Sequence, residues 1–198
     1  MKGNALIHYI KYLLGIEKPE TQTTANERKA IKKYATNAML AVEIGVFEGV
    51  NTVIIAEALH PEGKLFGIDP FFKGRLGICY HEKITRNAIS RGRLQHKIKL
   101  LSLLSYNAVD EVTESIDFIF IDGDHTYDGF IRDWNDWSGK VKINGIIALH
   151  DTAEPAHDPS VKNLGSYRYF NEHVKSDNRF QVIETVDSLN VLKKINAG

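Results

Sequence analysis

The stretch that decides the fold runs from Ala41 to Thr52 and reads AVEIGVFEGVNT. Its first residues are mostly apolar, which is typical of a short buried strand. Gly45 and Gly49 then allow a tight turn in which a ligand can approach the backbone closely. The segment from Val50 to Leu59 follows as a helix, and the free N–H groups at its start suit a carboxylate or a phosphate. The sequence therefore predicts a strand, a glycine turn and a helix arranged around a ligand.

The same alternation of strand and helix patterns continues outward along the chain. Further strands are predicted at 64–68, 97–101, 116–121, 143–149, 180–185 and 190–194. Helices are predicted at 27–40, 80–91, 106–113, 126–137 and 162–174. Such alternation favours a mainly parallel sheet with helices on both faces. We expect an α/β fold with a Rossmann-like, doubly wound sheet of seven strands that ends in an antiparallel C-terminal hairpin strand.

The composition is that of an ordinary globular domain, with 198 residues, 43% of them hydrophobic. Lys plus Arg number 25 and Asp plus Glu also number 25. This zero net charge gives no reason to expect nucleic acid or an anionic membrane as a partner. Cys79 is the only cysteine, which excludes an intramolecular disulfide and a cysteine-rich zinc site. The lack of disulfides favours a reducing compartment, and we expect a cytoplasmic protein.

The first 26 residues are expected to form a helix and a linker that precede the main domain at 27–198. Apolar residues recur at helical spacing, at Leu6, Ile7, Ile10, Leu13 and Leu14. Asn4 is a candidate cap for this helix, and the polar stretch at 18–26 is typical of a linker. The apolar face of the helix either packs on its own domain or forms a homodimer contact. Binding at a membrane surface is a third alternative.

The residues after each strand are the candidates for ligand binding, because parallel sheets bind ligands beyond the carboxyl ends of their strands. Asp69 follows the second strand, where a carboxylate can accept hydrogen bonds from both hydroxyls of a ribose. The G-x-x-x-G spacing puts Phe47 where a dinucleotide motif has its second glycine, so a pyrophosphate would fit poorly. Glu43 can accept a hydrogen bond from an ammonium group, or it can orient the loop. An amino acid joined to a ribose, as in S-adenosylmethionine, suits Glu43, the glycine turn and Asp69 better than NAD does.

A second group of polar residues follows the fourth and fifth strands. Asp122 and Asp151, with a third ligand, could hold a divalent cation such as Mg²⁺, which prefers carboxylates. His125 has a side chain suited to removing a proton at neutral pH. Alternatively, the two aspartates cap the segments that follow them and His125 is structural. Asp124 is expected to cap the helix that begins near Thr126.

Three blocks of this sequence resemble a known enzyme family. VEIGVFEGVNT at 42–52 and LFGIDP at 65–70 look like the cofactor motifs of class I S-adenosylmethionine-dependent methyltransferases. The third block, FIFIDGDHTYDGFIRDWNDW at 118–137 with GKVKINGIIALHDT at 139–152, resembles their small-molecule branch. That branch includes catechol-type O-methyltransferases and related enzymes of macrolide-sugar and cephalosporin pathways. The resemblance covers roughly 41–152 and implies O-methylation of a small hydroxylated metabolite or sugar.

The resemblance also implies a cofactor site. The loop after the first strand would shape the pocket for the methionine end, and Asp69 would hold the ribose. A residue after the third strand would lie along the adenine, with Ser102 as the nearest candidate. The implied cofactor-binding residues are Glu43, Gly45, Val46, Phe47, Gly49, Thr52, Asp69, Pro70, Ser102 and Asp122.

The related sugar O-methyltransferases bind a metal through an aspartate after the fourth strand and an acidic pair after the fifth, with a histidine as base. Asp122, His125 and Asp151 match these positions. His150 replaces the first acidic residue of the pair, and a histidine there weakens the case for Mg²⁺ and leaves Mn²⁺, Zn²⁺ or no metal as alternatives. The implied metal ligands are Asp122, His150 and Asp151, and the implied catalytic residues are His125 and His150. His150 is alternatively a substrate contact.

Two other functions are compatible with an α/β sheet of this kind. An NAD-dependent oxidoreductase is disfavoured by the glycine spacing and by the absence of a Tyr-x-x-x-Lys pair. A non-catalytic protein that binds S-adenosylmethionine is disfavoured by the complete set of Asp122, His125 and Asp151. A calorimetric comparison of S-adenosylmethionine binding with NAD binding distinguishes the oxidoreductase from a protein that uses S-adenosylmethionine.

The remaining candidates have weaker signals. Trp134 and Trp137 are expected to pack in the core. Four histidines are expected to be ordinary surface residues: His81, His96, His157 and His173. Long loops at 71–75 and 155–169 are expected to contact the substrate. Within these loops the candidate contacts are Arg75, Tyr167 and Arg168.

Overall fold

Seven strands form one sheet in the computed structural model, which describes residues 5–74 and 77–197. The strands are Leu40–Ile44 (β1), Lys64–Ile68 (β2), Ile98–Leu101 (β3), Ile116–Ile121 (β4), Val141–Leu149 (β5), Phe180–Val186 (β6) and Leu189–Lys194 (β7). Their spatial order is β3-β2-β1-β4-β5-β7-β6. The first five strands pair in parallel, whereas β7 is antiparallel to β5 and β6. This topology confirms the predicted Rossmann-like sheet and its antiparallel C-terminal hairpin.

Helices pack on both faces of the sheet. They are Ala5–Leu13 (α1), Ala25–Ala35 (α2), Val50–Ala58 (α3), Tyr80–Arg91 (α4), Tyr127–Trp137 (α5) and Gly165–Glu172 (α6). A capping box starts α2, in which Thr24 and Glu27 each accept the other's backbone N–H. The side chain of Thr126 accepts the N–H of Gly129 at 3.1 Å and so starts α5. Asp124 accepts the N–H of Thr126 at 2.9 Å, which supports this cap from the preceding turn.

Two predicted helices differ from the structure. The predicted helix at 27–40 ends at Ala35, because Asn37 has a left-handed backbone with a φ of 64°. The predicted helix at 106–113 is two 3₁₀ turns, Ser105–Asn107 and Val109–Glu111. Such a short connection between two strands forms the tighter i to i+3 hydrogen bonds in place of a regular helix.

Both faces of the central strands are buried. On one face Ile44 packs in a cluster with Trp134 and Trp137 of α5, which confirms that these tryptophans belong to the core. On the other face Ala41 packs in a cluster with Ile31 of α2. Because the central strands are apolar along their length, they are covered from both sides.

The N-terminal helix α1 packs against α4. The Tyr12 hydroxyl donates to Asn87 Oδ1 at 2.9 Å, and the rings of Tyr9 and Tyr80 lie 5.5 Å apart. The opposite face of α1 exposes apolar side chains, among them Ile10. The predicted cap Asn4 lies outside the described residues. In the described ranges, no helix combines the length and apolar character needed to cross a membrane.

Backbone hydrogen bonds continue past the carboxyl ends of the central strands. N–H groups donate from Gly45 to Ile68 (2.9 Å), from Asp122 to Ile44 (2.8 Å) and from His150 to Ile121 (3.0 Å). The first residues after β1, β4 and β5 are therefore fixed side by side at one edge of the sheet.

Candidate functional site

A cavity of about 760 Å³ opens at this edge of the sheet. Its lining comes from the loop after β1, the residues after β2 and β4, the segment 104–106 and α5. Residues 20–22, which precede α2, line the cavity as well. The cavity lies where parallel sheets bind ligands, and its volume is within the usual range for small-molecule sites.

The loop after β1 depends on its glycines. Gly45, Phe47 and Gly49 have left-handed backbones, with φ values of 87°, 53° and 78°. A Cβ on Gly45 would overlap the carbonyl oxygen of Asp122, and a Cβ on Gly49 would lie 2.9 Å from Thr85 Cγ2. Both positions therefore need glycine for its conformation and for its small size.

Asp69 holds this loop in place. Its Oδ2 accepts hydrogen bonds from the backbone N–H groups of Val46 and Phe47, both at 3.0 Å. Its Oδ1 accepts from the N–H of Phe71 at 2.7 Å. A carboxylate has about four acceptor positions, so Oδ1 keeps one for a ribose hydroxyl. The sequence indicated the ribose role but not this role in organising the loop.

Glu43 on β1 is fully buried and does not line the cavity. The Thr52 hydroxyl donates to its Oε2 at 2.5 Å, whereas Oε1 has no partner within the described residues. Burial raises the pKa of Glu43 well above its usual value, and the charges of Asp122 and Asp69 add to this rise. Through Thr52 this carboxyl group is tied to α3, which supports the predicted role of orienting the loop.

Glu48 ties the N-terminal segment to the glycine loop. Its fully buried carboxylate contacts His8 of α1 at 3.0 Å and His81 of α4 at 2.9 Å, and it accepts the backbone N–H of Glu20. Burial alone would raise the pKa of Glu48, but these hydrogen bonds outweigh it and lower the pKa. His81 also packs its ring 4.7 Å from that of Phe47. The expectation that His81 is an ordinary surface residue was therefore wrong.

The second polar group lies around Asp122, as the sequence predicted. Asp122 Oδ1 lies 3.6 Å from His125 Nε2 and 2.9 Å from His150 Nδ1. Asp151 Oδ2 lies 3.8 Å from His125 Nδ1, and its Oδ1 lies 3.5 Å from His150 Nδ1. Asp122 and His125 line the cavity, whereas His150 and Asp151 do not.

His150 is buried between carboxylates. Its Nε2 lies 3.4 Å from Glu27 Oε2, and its Nδ1 is close to Asp122 without an aligned hydrogen bond. Burial alone would lower the pKa of His150, but Asp122, Glu27 and Asp151 outweigh it and raise the pKa to about 10. In this arrangement His150 is an ion-pair partner of the surrounding carboxylates. Its predicted roles as metal ligand and as base stay predictions.

The described residues do not bring the predicted metal ligands together as a metal site. Within residues 5–74 and 77–197, no group of three His, Cys, Asp or Glu side chains is placed to hold a metal ion. Asp122 and Asp151 instead face an imidazolium, which supplies the positive charge between them.

The predicted cofactor residues fall into two sets. Those that line the cavity are Gly45, Val46, Phe47, Asp69, Pro70 and Asp122. Glu43, Gly49 and Thr52 support the lining from behind, since they contact the loop or α3 and do not face the cavity. Ser102 is exposed and lies outside the lining, where Leu104, Ser105 and Tyr106 are found instead.

Several residues of the lining were missed by the sequence analysis. Asn51 on α3 and Asp133 on α5 are buried polar residues that line the cavity. Thr21 belongs to the stretch that was taken for a linker. The helical spacing of Asp133 from Gly129 was a usable signal, because both lie on one face of α5. No local signal pointed to the other two.

The two predicted substrate loops contribute unequally. Phe72 lines the cavity, whereas Arg75 lies outside the described residues. Tyr167 and Arg168 are not part of the lining. The Arg168 guanidinium lies 4.0 Å from the ring centre of Tyr127 and so packs on α5.

Comparisons with known proteins agree with this geometry. A family model described as a methyltransferase domain matches residues 42–152, which is more than half of the chain. Caffeoyl-CoA O-methyltransferase 1 of Nicotiana tabacum is 27% identical over 164 residues, a match that covers 75% of this chain and 65% of that enzyme. The chain thus spans slightly less than two thirds of this relative.

Solved structures share the fold. The O-methyltransferase TomG of Streptomyces achromogenes, solved in complex with S-adenosylmethionine, superposes with a TM-score of 0.67 and 18% identity, covering 99% of this chain and 92% of TomG. An O-methyltransferase of Bacillus cereus, solved with S-adenosylhomocysteine, gives a TM-score of 0.66 at 18% identity and the same coverages. The family match overturns the alternative of an NAD-dependent oxidoreductase. The chain belongs to the class I S-adenosylmethionine-dependent methyltransferases.

Proposed function

We propose that the protein transfers the methyl group of S-adenosylmethionine to a hydroxyl group of a small acceptor, either a hydroxylated metabolite or a sugar. The observation that carries the proposal is the position of His125 in the same cavity as Gly45, Asp69 and Asp122. The tobacco relative, named as an O-methyltransferase, supports oxygen as the acceptor atom.

The cofactor would lie across the carboxyl ends of β1 and β2. The start of α3 offers free N–H groups to the carboxylate of its amino-acid end, and the Asp122 carboxylate suits the ammonium group. Asp69 keeps one acceptor position for the ribose. These contacts would aim the methyl group at the part of the cavity that His125 lines.

His125 is the residue best placed to accept the acceptor's proton. Within the described residues, neither of its ring nitrogens makes an aligned hydrogen bond, although carboxylates lie 3.6 Å and 3.8 Å away. As the acceptor oxygen forms its bond to the methyl carbon, the bond from that carbon to sulfur breaks and S-adenosylhomocysteine leaves. The hydroxyl proton would pass to His125, and Asp122 and Asp151 would stabilise the imidazolium that results.

Calorimetry tests the cofactor first. We expect S-adenosylhomocysteine to bind in the micromolar range and NAD to give no heat. Equal affinity in EDTA and in Mg²⁺ is expected, because the described residues do not form a metal site. Absence of binding under both conditions would remove the methyltransferase proposal.

A variant of His125 tests the chemistry. With an acceptor identified by a screen of hydroxylated compounds, His125→Ala should lower kcat by roughly 10² to 10⁴-fold, the usual contribution of a general base. The affinity for S-adenosylhomocysteine should stay within about threefold, and the matched variant His157→Ala, at an exposed site, should behave as wild type. A fully active His125→Ala enzyme would contradict the assignment, and a protein that binds the cofactor but methylates nothing would support the non-catalytic alternative.

We also propose that α1 faces a second copy of the chain. Ile7, Ile10 and Leu13 are 51%, 46% and 43% exposed and follow one another at helical spacing. Apolar side chains grouped in this way on a surface usually mark an interaction site, and twofold pairing is the commonest arrangement for identical chains. A cytoplasmic location fits the free, buried thiol of Cys79, and cell fractionation would test it.

A further inference from the structure

His8 on α1 occupies a position in which only its protonated ring can make both of its contacts. Its Nδ1 lies 2.6 Å from Glu17 Oε2, and its Nε2 lies 3.0 Å from Glu48 Oε2. An ionised carboxylate accepts hydrogen bonds and donates none, so both ring nitrogens must carry a proton. His8 is therefore an imidazolium in this arrangement. A neutral ring would turn a lone pair toward one of the two carboxylates.

The charges around His8 come from the turn after α1 and from the glycine loop. Glu17 follows α1 and also accepts from Lys11 Nζ at 2.6 Å, whereas Glu48 belongs to the loop and Glu20 adds a more distant negative charge. Burial lowers the pKa of His8, but the hydrogen bonds with Glu17 and Glu48 outweigh it and raise the pKa. The positive charge is therefore present at low pH and is lost as the pH rises through this raised pKa.

Glu48 connects His8 to two further parts of the molecule. Its Oε2 also accepts the backbone N–H of Glu20 at 2.5 Å, and its Oε1 lies 2.9 Å from Nδ1 of His81 on α4. A neutral His81 can donate from Nδ1, so this contact needs no positive charge. Of the three partners of the fully buried Glu48 carboxylate, His8 is thus the one that must be charged.

The chain between α1 and α2 reaches the cavity next to this carboxylate. Residues 20–22 line the cavity, and the first of them supplies the N–H that Glu48 accepts. In the stretch 14–22, all of which the structure describes, no residue is buried, and Leu14 and Ile16 are 69% and 68% exposed. Because little apolar burial fixes this stretch, its hydrogen bonds determine how firmly it is held.

We propose that His8, Glu48 and His81 form a pH-sensitive clamp that holds residues 20–22 against the cavity, so that a bound ligand leaves faster once His8 has lost its proton. When His8 is neutral, Glu48 loses its charged partner and residues 20–22 detach more often. The ligand used to test this, S-adenosylhomocysteine, rests on the proposed function. The clamp itself acts in the ligand-free protein as well.

The release rate of S-adenosylhomocysteine tests the clamp. Radiolabelled ligand is bound at pH 6 or at pH 9, and its dissociation is followed after addition of excess unlabelled ligand. Dissociation from the wild-type protein should be about tenfold faster at pH 9, the effect expected for losing one hydrogen bond to a charged group. His8→Gln should release the ligand quickly at both pH values, within about twofold, because an amide does not titrate.

Two further variants show whether the effect belongs to His8. His157→Gln is the matched control, since His157 is exposed and lies outside the cavity lining, and it should keep the wild-type ratio of the two release rates. His81→Gln should release the ligand faster at both pH values but keep this ratio, because the contact of His81 needs no charge. A ratio lost in His81→Gln and kept in His8→Gln would contradict the assignment.

Hydrogen exchange of the Glu20 amide gives a second readout that needs no ligand. This N–H donates to Glu48, so its protection, corrected for the intrinsic effect of pH on exchange, reports how often the clamp is open. Protection in the wild-type protein should fall about tenfold from pH 6 to pH 9. In His8→Gln it should be low at both pH values.

The outcomes separate the clamp from the proposed function. Equal release rates and equal Glu20 protection at both pH values, or a His8→Gln variant that keeps the full pH ratio, would overturn the clamp while the methyltransferase proposal stands. A protein that loses Glu20 protection as the pH rises but binds no S-adenosylhomocysteine would support the clamp and overturn the proposed cofactor.

Discussion

Gly45 shows how a single residue sets the geometry of the cavity. Its φ of 87° and the contact that a Cβ would make with the Asp122 carbonyl leave no room for a side chain. Gly45→Ala should therefore destabilise the protein by about 2–4 kcal/mol, because it causes both backbone strain and a steric clash. It should also abolish binding of S-adenosylhomocysteine.

Gly77→Ala provides the matched control in a urea-unfolding experiment. Gly77 also has a positive φ, of 70°, but among the described residues no atom lies within 4 Å of the position that a Cβ there would take. Gly77→Ala should lower the free energy of unfolding only by the cost of left-handed backbone strain, about 1–2 kcal/mol. It should leave ligand binding intact. Equal losses in the two variants would show that the contact with Asp122 has no effect.

Asp133 makes the stability of the protein depend on pH. Burial is the main cause that raises its pKa to about 6; the charges of Asp124 and Asp136 also raise the pKa, whereas Ser105 and Arg132 lower it. The unfolded chain releases this proton near pH 4, so the folded state binds more protons between the two pKa values. Stability contributed by this group therefore falls as pH rises from about 4 to 6.

Asp133→Asn removes this dependence. In urea unfolding, the variant and the wild-type protein should be equally stable at pH 4, and the variant should be more stable by up to about 3 kcal/mol at pH 7. Asp136→Asn is the control and should show a much smaller pH-dependent difference. A constant difference between Asp133→Asn and wild type across this pH range would contradict the assignment.

At the scale of elements, α1 is joined to the glycine loop through His8. Its Nδ1 lies 2.6 Å from Glu17 and its Nε2 lies 3.0 Å from the buried Glu48. Burial would lower the pKa of His8, but both carboxylates together raise it. His8→Ala should cost about 1–3 kcal/mol, because it removes one partner of a buried carboxylate.

Trypsin cleavage measures how firmly α1 is held. His8→Ala should be cut faster than wild type after Lys11 and Lys18, while the exposed control His157→Ala should be cut at the wild-type rate. Because the pKa of His8 is raised, this contribution is present at low pH and is lost as pH rises through that pKa. Equal cleavage rates of wild type and His8→Ala at pH 6 would contradict the proposal that His8 holds α1 on the glycine loop.

The elements near the decisive stretch could be predicted because their signals are local. The apolar run of β1, the glycines after it and the position of Asp69 can each be recognised within a few residues. The strand bounds of β2 and β4 match the structure for the same reason. The role of His150 could not be predicted, since Glu27, which faces one side of its ring, comes from α2. Glu48 and Asp133 likewise acquire their roles only from distant partners, His8 and Ser105.

At the scale of the whole molecule, the apolar face of α1 predicts a dimer. Light scattering at increasing concentration should give twice the chain mass of 22.3 kDa. Ile10→Glu should shift the protein to monomer, because it places a charge in the proposed contact. Ile143→Glu, at a similarly exposed isoleucine outside α1, should leave the mass unchanged. A wild-type protein that stays monomeric at all concentrations would contradict the dimer.

The start of α2 and the turn between β6 and β7 are also bonded to each other. The Thr24 hydroxyl donates to Asp187 at 2.6 Å, and Glu27 accepts both the backbone N–H and the hydroxyl of Ser188 at 2.8 Å. Glu27 is in turn the residue that faces His150. During synthesis this bond cannot form until residue 188 has left the ribosome, although the residues around Gly45 emerge much earlier. The contacts of Glu27 with Ser188 and His150 are therefore completed late in folding. A nascent chain should bind its cofactor only after the C-terminal hairpin has formed.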